Sequence, residues 1–180
     1  ELRPNAQRAY RAALAGFYAH CTAIDRCVGR LVAALDHLGL AEDTILVFSS
    51  DHGDMLGQHG SFCGIKNQGY RASMHVPLIV RYPARFKPLR SEAMIDVGVD
   101  MMATLFDLVG IDMPEGRDSQ SYLPVLDGKA AEHRDRLWYQ VFRQTGGNPI
   151  EYTPYAERGI RAKDWLYVRR KDHRAFLFDQ

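Results

Sequence analysis

The amino-acid sequence predicts an α/β fold with a parallel-sheet core, followed by a small antiparallel β subdomain. Two continuous apolar runs rich in β-branched residues, at 44–50 and 76–82, are typical of central strands in a parallel sheet that is covered on both faces. Amphipathic helical segments lie before the first run and after the second, which is the order of an α/β protein. The last part of the chain changes to short alternating segments. We therefore expect an α/β part over 1–130 and an antiparallel β part over 131–180.

Composition and charge are those of an ordinary globular protein and argue against two classes of partner. The 180 residues are 46% hydrophobic, which is enough to bury a sizeable core. The 23 basic and 22 acidic residues nearly cancel, so no overall field draws the chain to nucleic acid or to a membrane surface. No apolar run approaches the ~20 residues of a membrane-spanning helix. We expect no nucleic-acid partner and no membrane partner.

The cysteines do not indicate a disulfide framework. Cys21, Cys27 and Cys63 are odd in number and form no C-x-x-C pair, which slightly favours a reducing, cytoplasmic location. Because the sequence does not begin with Met, we expect further residues upstream, and a targeting signal would lie among them. The location of the protein therefore stays open.

A long amphipathic helix is predicted from about Ala6 to Leu38. Apolar residues recur there at alternating steps of three and four, the spacing of one helix face, and Gly39 ends the segment. These positions are Leu14, Phe17, Cys21, Ile24, Val28, Leu31, Leu35 and Leu38. Small or apolar neighbours widen the face beyond a coiled-coil seam, so we expect the helix to pack on a sheet. Cys21 and Cys27 would then lie in or beside the core.

A second helix is predicted after the second apolar run. It is closed by Gly110, and Asp96 and Asp100 are explained as caps at its beginning. Its apolar residues at helical spacing are Val99, Met102, Phe106 and Val109.

Four short β-rich segments at the end of the chain predict an antiparallel meander or a set of hairpins: LWYQVF, ERGIRA, WLYVRR and AFLF. Trp138, Trp165 and Phe176 fall in these segments, and we expect them to pack the small sheet against the α/β part. The segment 143–158 is irregular, and no role follows from its sequence.

The loop after the first apolar run carries the residues most suited to chemistry. Residues 51–71 hold five glycines and no periodicity, and a loop of this length is usually functional or disordered. Asp51 and His52 stand at the carboxyl end of the predicted strand, where ligands collect in α/β sheets, and they offer an oxygen and a nitrogen to a divalent cation. Gly53 lets the chain turn beside them. Further ligands would come from Asp54 or from elsewhere; the alternative is that Asp51 and His52 only cap a turn.

Lys66 is the candidate for contact with an anionic substrate. It lies in the glycine-flanked segment CGIKNQGY, where a compact ammonium group would meet an anion held by the metal. The alternative is a solvated loop lysine.

Six features follow one another in an order that is specific as a set: VFSSDHGDMLGQHG, Lys66, SMHVPLIVRYP, DMMATLFDLVGI, MPEGRDSQSYLPVLDG and IRAKDWLYVRRKDHRAFLFD. This set resembles the C-terminal half of the sulfatase family, within the alkaline-phosphatase superfamily. The resemblance runs from the long helix at residue 6 to Asp179. It implies that 1–130 is the C-terminal part of an alkaline-phosphatase-like core whose N-terminal strands are missing, and that 131–180 is its small antiparallel β subdomain.

The resemblance implies roles for three residues. Asp51 and His52 would supply two ligands to a divalent cation, usually calcium and, in phosphonate-monoester-hydrolase relatives, manganese. Lys66 matches the lysine that contacts the sulfate group and the departing oxygen. The physical logic agrees, because negative charge grows on the leaving oxygen of a sulfate ester, and a divalent cation and an ammonium group both stabilise it.

The sequence departs from the family pattern in three places. Sulfatases carry C-x-P-S-R, or a close variant, whose Cys or Ser becomes the formylglycine nucleophile, and no cysteine here is followed by that pattern. The formylglycine is therefore expected in a missing N-terminal half. Arg71 and His75 stand where the family commonly has an acidic residue and an Arg. His59 is a candidate substrate contact, with a solvated loop histidine as the alternative.

One function and two alternatives follow. We expect a fragment of a sulfuric ester hydrolase that acts on a small-molecule sulfate ester and is inactive alone, because the nucleophile is absent. The alternatives are a phosphonate or phosphate ester hydrolase of the same superfamily, and a noncatalytic binding or assembly module. An incomplete sheet exposes an edge and an apolar face, so we also expect homo-oligomers.

Overall fold

A computed structural model describes residues 4–60, 64, 66, 69–141 and 156–179. Its helices are α1 Pro4–His37, α2 Arg71–Met74, α3 Val97–Val109 and α4 Leu123–Leu126, with a 3₁₀ turn at Gln58–Gly60. Its strands are β1 Leu46–Ser49, β2 Leu78–Arg81, β3 Arg136–Val141, β4 Glu157–Ala162, β5 Trp165–Arg170 and β6 Ala175–Asp179. The chain divides into a first unit, Glu1–Lys66 with Ala72–Ala84, and a second unit, Asn67–Arg71 with Arg85–Gln180. The boundary expected between residues 130 and 131 stays a prediction.

Helix α1 confirms the long helix predicted from the apolar spacing. It is followed by Gly39 in the left-handed region, with φ 70°, and the Leu40 amide donates back to the Leu35 carbonyl. The predicted burial of Cys21 and Cys27 is wrong: both are exposed, because the described elements leave that side of the helix uncovered. No helix in the described part of the chain is long and apolar enough to cross a membrane.

Strands β1 and β2 form a two-stranded sheet in the first unit, but they run antiparallel, with Leu46 opposite Arg81 and Ser49 opposite Leu78. The prediction of a parallel sheet is therefore wrong for this pair. Its physical reason is a contact across the connecting loop. After β1 the chain is held beside residue 73 by a hydrogen bond from the Gly53 amide to the Ser73 carbonyl, so it enters β2 next to the end of β1.

Helix α3 begins and ends as its sequence predicts. The Asp96 carboxylate accepts from the Val99 amide as an N-cap, and Gly110 closes the helix with φ 71°. Asp100, also expected to be a cap, accepts from the amide of the N-cap residue Asp96 over 3.1 Å, and it has a second role as well. Its side chain is fully buried and accepts hydrogen bonds from Nε and Nη2 of the Arg134 guanidinium group. This ion pair ties α3 to the segment that leads into β3.

The second unit ends in a four-stranded antiparallel sheet of order β3-β4-β5-β6, which confirms the predicted meander. Leu166 and Val168 are buried on one face. Trp138 and Trp165 lie on the other, where they are 68% and 49% exposed, so their predicted packing against the α/β part is wrong for the described residues. Alternation within a strand separates its two faces, but it carries no information on which face is covered. The irregular segment expected at 143–158 lies outside the described residues up to residue 155.

Tyr139 occupies the buried face of this sheet. A Cβ atom at Gly159, opposite it on β4, would lie 2.1 Å from the tyrosine ring, and one at Gly69 would lie 2.0 Å from its hydroxyl oxygen. The Tyr139 hydroxyl donates to the Glu157 carboxylate over 3.4 Å. Burial, and next the negative charge of Glu157, raise the pKa of the Tyr139 hydroxyl.

Candidate functional site

The turn after β1 presents Asp51 and His52, and Gly53 makes this turn possible. The Gly53 amide donates to the Ser73 carbonyl oxygen over 2.7 Å. A Cβ atom at residue 53 would lie 1.9 Å from the Ala72 carbonyl oxygen, so a larger residue would push two backbone segments apart. Glycine therefore sets the position of the two candidate ligands.

Tyr10 of α1 holds the next part of the loop, which sequence reasoning missed. Its hydroxyl donates to the Leu56 carbonyl oxygen, and its ring fills the space that a side chain at Gly57 would occupy. Met55, beside this contact, is fully buried. The hydrogen bond from Tyr10 thus fixes the loop to the long helix. No local pattern reveals such a contact, since Tyr10 and Leu56 are 46 residues apart.

Asp54, a candidate for a further metal ligand, serves the loop itself. One carboxylate oxygen accepts from the Leu56 amide over 2.8 Å, and the other accepts from the Gly64 amide over 2.7 Å. Such side-chain to backbone bonds are typical of aspartates that stabilise turns. The carboxylate therefore joins two stretches of the loop that carries the candidate site.

His52 is oriented by its own backbone neighbour. Its Nδ1 lies 2.9 Å from the Gly53 carbonyl oxygen, and because a carbonyl can only accept, Nδ1 carries the proton. The Nε2 atom then presents a lone pair, and it accepts from Lys66 Nζ over 2.9 Å. With Nδ1 bonded to a carbonyl, Nε2 is the ring nitrogen that acts as the acceptor, which is the arrangement that metal-binding histidines use.

Asp51 brings a carboxylate to the same point. Its Oδ2 lies 3.4 Å from His52 Nε2, and its side chain is 84% exposed. Two atoms with lone pairs repel one another at this distance unless a cation lies against both. Calcium ligands lie about 2.3–2.6 Å from the ion, so neighbouring ligand atoms are about 3–3.5 Å apart. The pair therefore fits two positions in one coordination shell.

The remaining predicted residues contribute less to this arrangement. Within residues 4–60, 64, 66, 69–141 and 156–179, no three His, Cys, Asp or Glu side chains converge on one potential cation position. Asp51 and His52 are thus a partial donor set. His59 lies in the 3₁₀ turn with a left-handed φ of 52° and an exposed side chain, and its contact with substrate stays a prediction.

Comparison with known proteins decides the family. Residues 3–111 match the family model described as Sulfatase. The chain belongs to the sulfatase family. This membership confirms the resemblance to sulfatases within the alkaline-phosphatase superfamily.

Sulfatase relatives match nearly all of the chain. It is 34% identical over 179 residues to an ulvan-active sulfatase from Formosa agariphila. The matched region covers 98% of this chain and 34% of the relative. A protein solved in complex with its substrate, D-glucosamine-2-N,6-O-disulfate, superposes with a TM-score of 0.76 at 28% identity, over 88% of this chain and 32% of that one. The chain thus spans about a third of the length of these sulfatase-family proteins.

A second solved structure that is similar to this chain is named for a different reaction. The phosphonate monoester hydrolase of Agrobacterium radiobacter superposes with a TM-score of 0.72 at 25% identity, over 87% of this chain and 32% of that one. The α/β fold with a C-terminal antiparallel sheet, predicted for this chain, is confirmed by its sulfatase neighbours.

Proposed function

We propose that this chain is part of a sulfuric ester hydrolase and supplies two ligands of its divalent-cation site together with the lysine that binds the sulfate group. The observation that supports this proposal is that the side chains of Asp51 and Lys66 both lie close to Nε2 of His52. His52 Nε2 lies 3.4 Å from Asp51 Oδ2 and 2.9 Å from Lys66 Nζ. A sulfate ester needs both a cation site and a separate positive charge, and these residues provide the parts of each.

Asp51 and His52 would hold the cation, which we propose to be calcium, with manganese as the alternative. When bound, this ion supplies electrostatic stabilisation of the negative charge on the ester oxygens. His52 contributes a fixed lone pair, because Gly53 keeps the proton on Nδ1. Asp51 contributes the hard oxygen that such cations prefer.

The ammonium group of Lys66 has two alternative hydrogen-bond partners, His52 and the oxygens of a sulfate group. In the present arrangement it donates to His52 Nε2, and one lone pair serves one partner at a time. Lys66 therefore gives up this hydrogen bond when Nε2 becomes a ligand. Its ammonium group is then free to donate to a sulfate oxygen and to the oxygen that departs, where the charge develops during S–O cleavage.

We propose that the nucleophile and the other ligands lie outside this chain. The 180 residues contain no C-x-P-S-R pattern, and no three His, Cys, Asp or Glu side chains among the described residues are grouped to hold a cation. A formylglycine in the rest of the protein would attack the sulfur atom, so the isolated chain is expected to be inactive. Relatives named for ulvan and for a disulfated glucosamine support a sulfated carbohydrate as the substrate.

The test measures hydrolysis of 4-nitrocatechol sulfate by the full-length protein in which this chain occurs. We expect Lys66→Ala and Asp51→Asn each to lower kcat about 10²–10³-fold, the effect of removing one charge-stabilising group. Chelation should have a similar effect. Asp43→Asn and Lys163→Ala remove matched exposed charges and should leave turnover unchanged. Hydrolysis that survives both Lys66→Ala and chelation would overturn the proposal.

A phosphonate or phosphate ester hydrolase is the second candidate, because the chain superposes on a phosphonate monoester hydrolase. A cation and an ammonium group serve either tetrahedral anion equally well. The ratio of kcat/KM for matched aryl sulfate, phosphate and phosphonate esters distinguishes the two. If the full-length protein hydrolyses none of them and carries no formylglycine, the noncatalytic module replaces both.

A further inference from the structure

One face of the β3–β6 sheet carries an exposed apolar row. The strand register aligns Trp138, Ile160, Tyr167 and Leu177 across the four strands. Trp138, Tyr167 and Leu177 are 68%, 41% and 63% exposed. Neighbouring strands lie about 4.8 Å apart, so the row extends about 14 Å across the sheet. We call it the aromatic row.

A basic pair lies directly beside the aromatic row. Two positions further along the strands, Arg158 of β4 is opposite Arg169 of β5, and Gln140 and Ala175 complete this second row. Both arginines are exposed. In the part of the chain that the structure describes, neither forms an ion pair with an acidic side chain. Like charges directly opposite one another on adjacent strands are destabilising, and an anion between them relieves the repulsion.

Among the residues that the structure describes, the other charges near this face do not neutralise the pair. Arg136, on the far side of the aromatic row, forms an ion pair with Asp135. Asp179 lies opposite Trp165 in that same distant row. In the turn after β5, Asp172 is bonded to Arg174. The side of the face that holds Arg158 and Arg169 is therefore basic.

We propose that this face binds a sulfated polysaccharide, with sugar rings stacked on the aromatic row and a sulfate group held between Arg158 and Arg169. Flat aromatic side chains offer large rigid contact area, and guanidinium forks match the oxygens of a tetrahedral anion. Two copies of the chain placed face to face would instead bury two uncompensated arginine pairs, which is costly. The choice of a sulfated glycan rests on the proposed function; the binding face itself uses none of its residues.

The test measures binding of the full-length protein to dextran sulfate and to unmodified dextran by isothermal titration calorimetry. Arg158→Gln with Arg169→Gln should weaken binding of dextran sulfate about tenfold or more, since charge-assisted hydrogen bonds are lost. Lys87→Gln with Lys163→Gln removes two exposed charges elsewhere in the second unit and should change affinity less than about twofold. Trp138→Ala should weaken dextran sulfate binding as well.

Two further measurements separate a loss of glycan binding from a loss of stability and from a failure of the proposed function. The double arginine variant loses a repulsion, so its Tm at low salt should equal or exceed that of the wild type. Turnover of 4-nitrocatechol sulfate should be unchanged in every variant, and an inactive wild type would count against the proposed function without affecting the binding result. Equal dextran sulfate affinity in wild type and in the arginine variant would overturn the inference. So would a wild-type dimer that Trp138→Ala dissociates with no effect on glycan binding.

Discussion

Two aspartates show how differently the two units use a carboxylate. Asp51 in the first unit has a side chain that is 84% exposed, and its backbone donor is the adjacent His52 amide. Asp100 in the second unit is fully buried and accepts from Arg134, His133 and two backbone amides. A carboxylate whose oxygens are saturated stabilises the fold, whereas one with open oxygens remains available for a ligand.

The electrostatics of Asp100 reflect this saturation. Burial by itself raises the pKa of the Asp100 carboxyl, but the Arg134 hydrogen bond, followed by the amides of Gln120 and Asp96 and the His133 ring, outweighs it and lowers the pKa below the ordinary value. The hydrogen bond to Asp100 in turn raises the pKa of Arg134. The pair is therefore ionised at neutral pH.

The largest expected effect comes from Asp100→Asn. This variant leaves the Arg134 guanidinium, which is 17% exposed, without its negative partner, and we expect a loss of about 3–5 kcal/mol in the free energy of unfolding. Asp51→Asn, measured without divalent cations, should change it by less than about 0.5 kcal/mol. Urea unfolding followed by circular dichroism measures both. Equal losses in the two variants would remove the contrast between the units.

Gly53→Ala tests whether the turn at residue 53 sets the position of the exposed Asp51 carboxylate. The new Cβ atom would meet the Ala72 carbonyl oxygen at 1.9 Å, and we expect a loss of about 1–3 kcal/mol from overpacking. Divalent-cation binding, measured by calorimetry on the full-length protein, should weaken at the same time.

Gly16→Ala is the matched control for Gly53→Ala. Residue 16 lies inside α1 with no atom within 4 Å of the added Cβ, so alanine should stabilise the helix by about 0.5–1 kcal/mol. A stable Gly53→Ala variant with unchanged cation affinity would show that the turn does not position Asp51.

The dependence of the free energy of unfolding on acid pH gives the smallest effect and is a further comparison of Asp100 with Asp51. Because the folded pKa of Asp100 is below its unfolded value near 3.8, its contribution is fully present above that value and is lost as pH falls through the folded pKa. The slope is less than about 1.4 kcal/mol per pH unit. We expect Asp100→Asn to lose this part of the acid sensitivity and Asp51→Asn to retain it. Unfolding free energies measured between pH 5 and pH 2 provide the check, and identical profiles for both variants would contradict it.

Local patterns in the sequence predict most of the elements. The apolar spacing of α1, the Asp96 cap and Gly110 of α3, and the alternation of the last four strands act within a few residues and are read directly. The direction of β2 relative to β1 is not, because a continuous apolar run is the same in either direction. It depends on a hydrogen bond between Gly53 and Ser73, which are distant in sequence.

The sequence likewise predicts some features of the candidate site and not others. The residue types of Asp51, His52 and Lys66 predict the chemistry, and the family resemblance implies their roles, which stay predictions. The contact between Lys66 Nζ and His52 Nε2, and the support from Tyr10, depend on the folded chain. The second role of Asp100, the ion pair with Arg134, was missed because Arg134 follows 34 residues later.

Tyr139 constrains the order in which this protein can diverge. Its ring and hydroxyl occupy the space that side chains at Gly69 and Gly159 would need. The three positions therefore form one steric unit, although they are spread over 91 residues of sequence from 69 to 159. A side chain at either glycine requires that the Tyr139 ring shift or that residue 139 become smaller. Substitutions at these three positions are therefore expected to depend on one another.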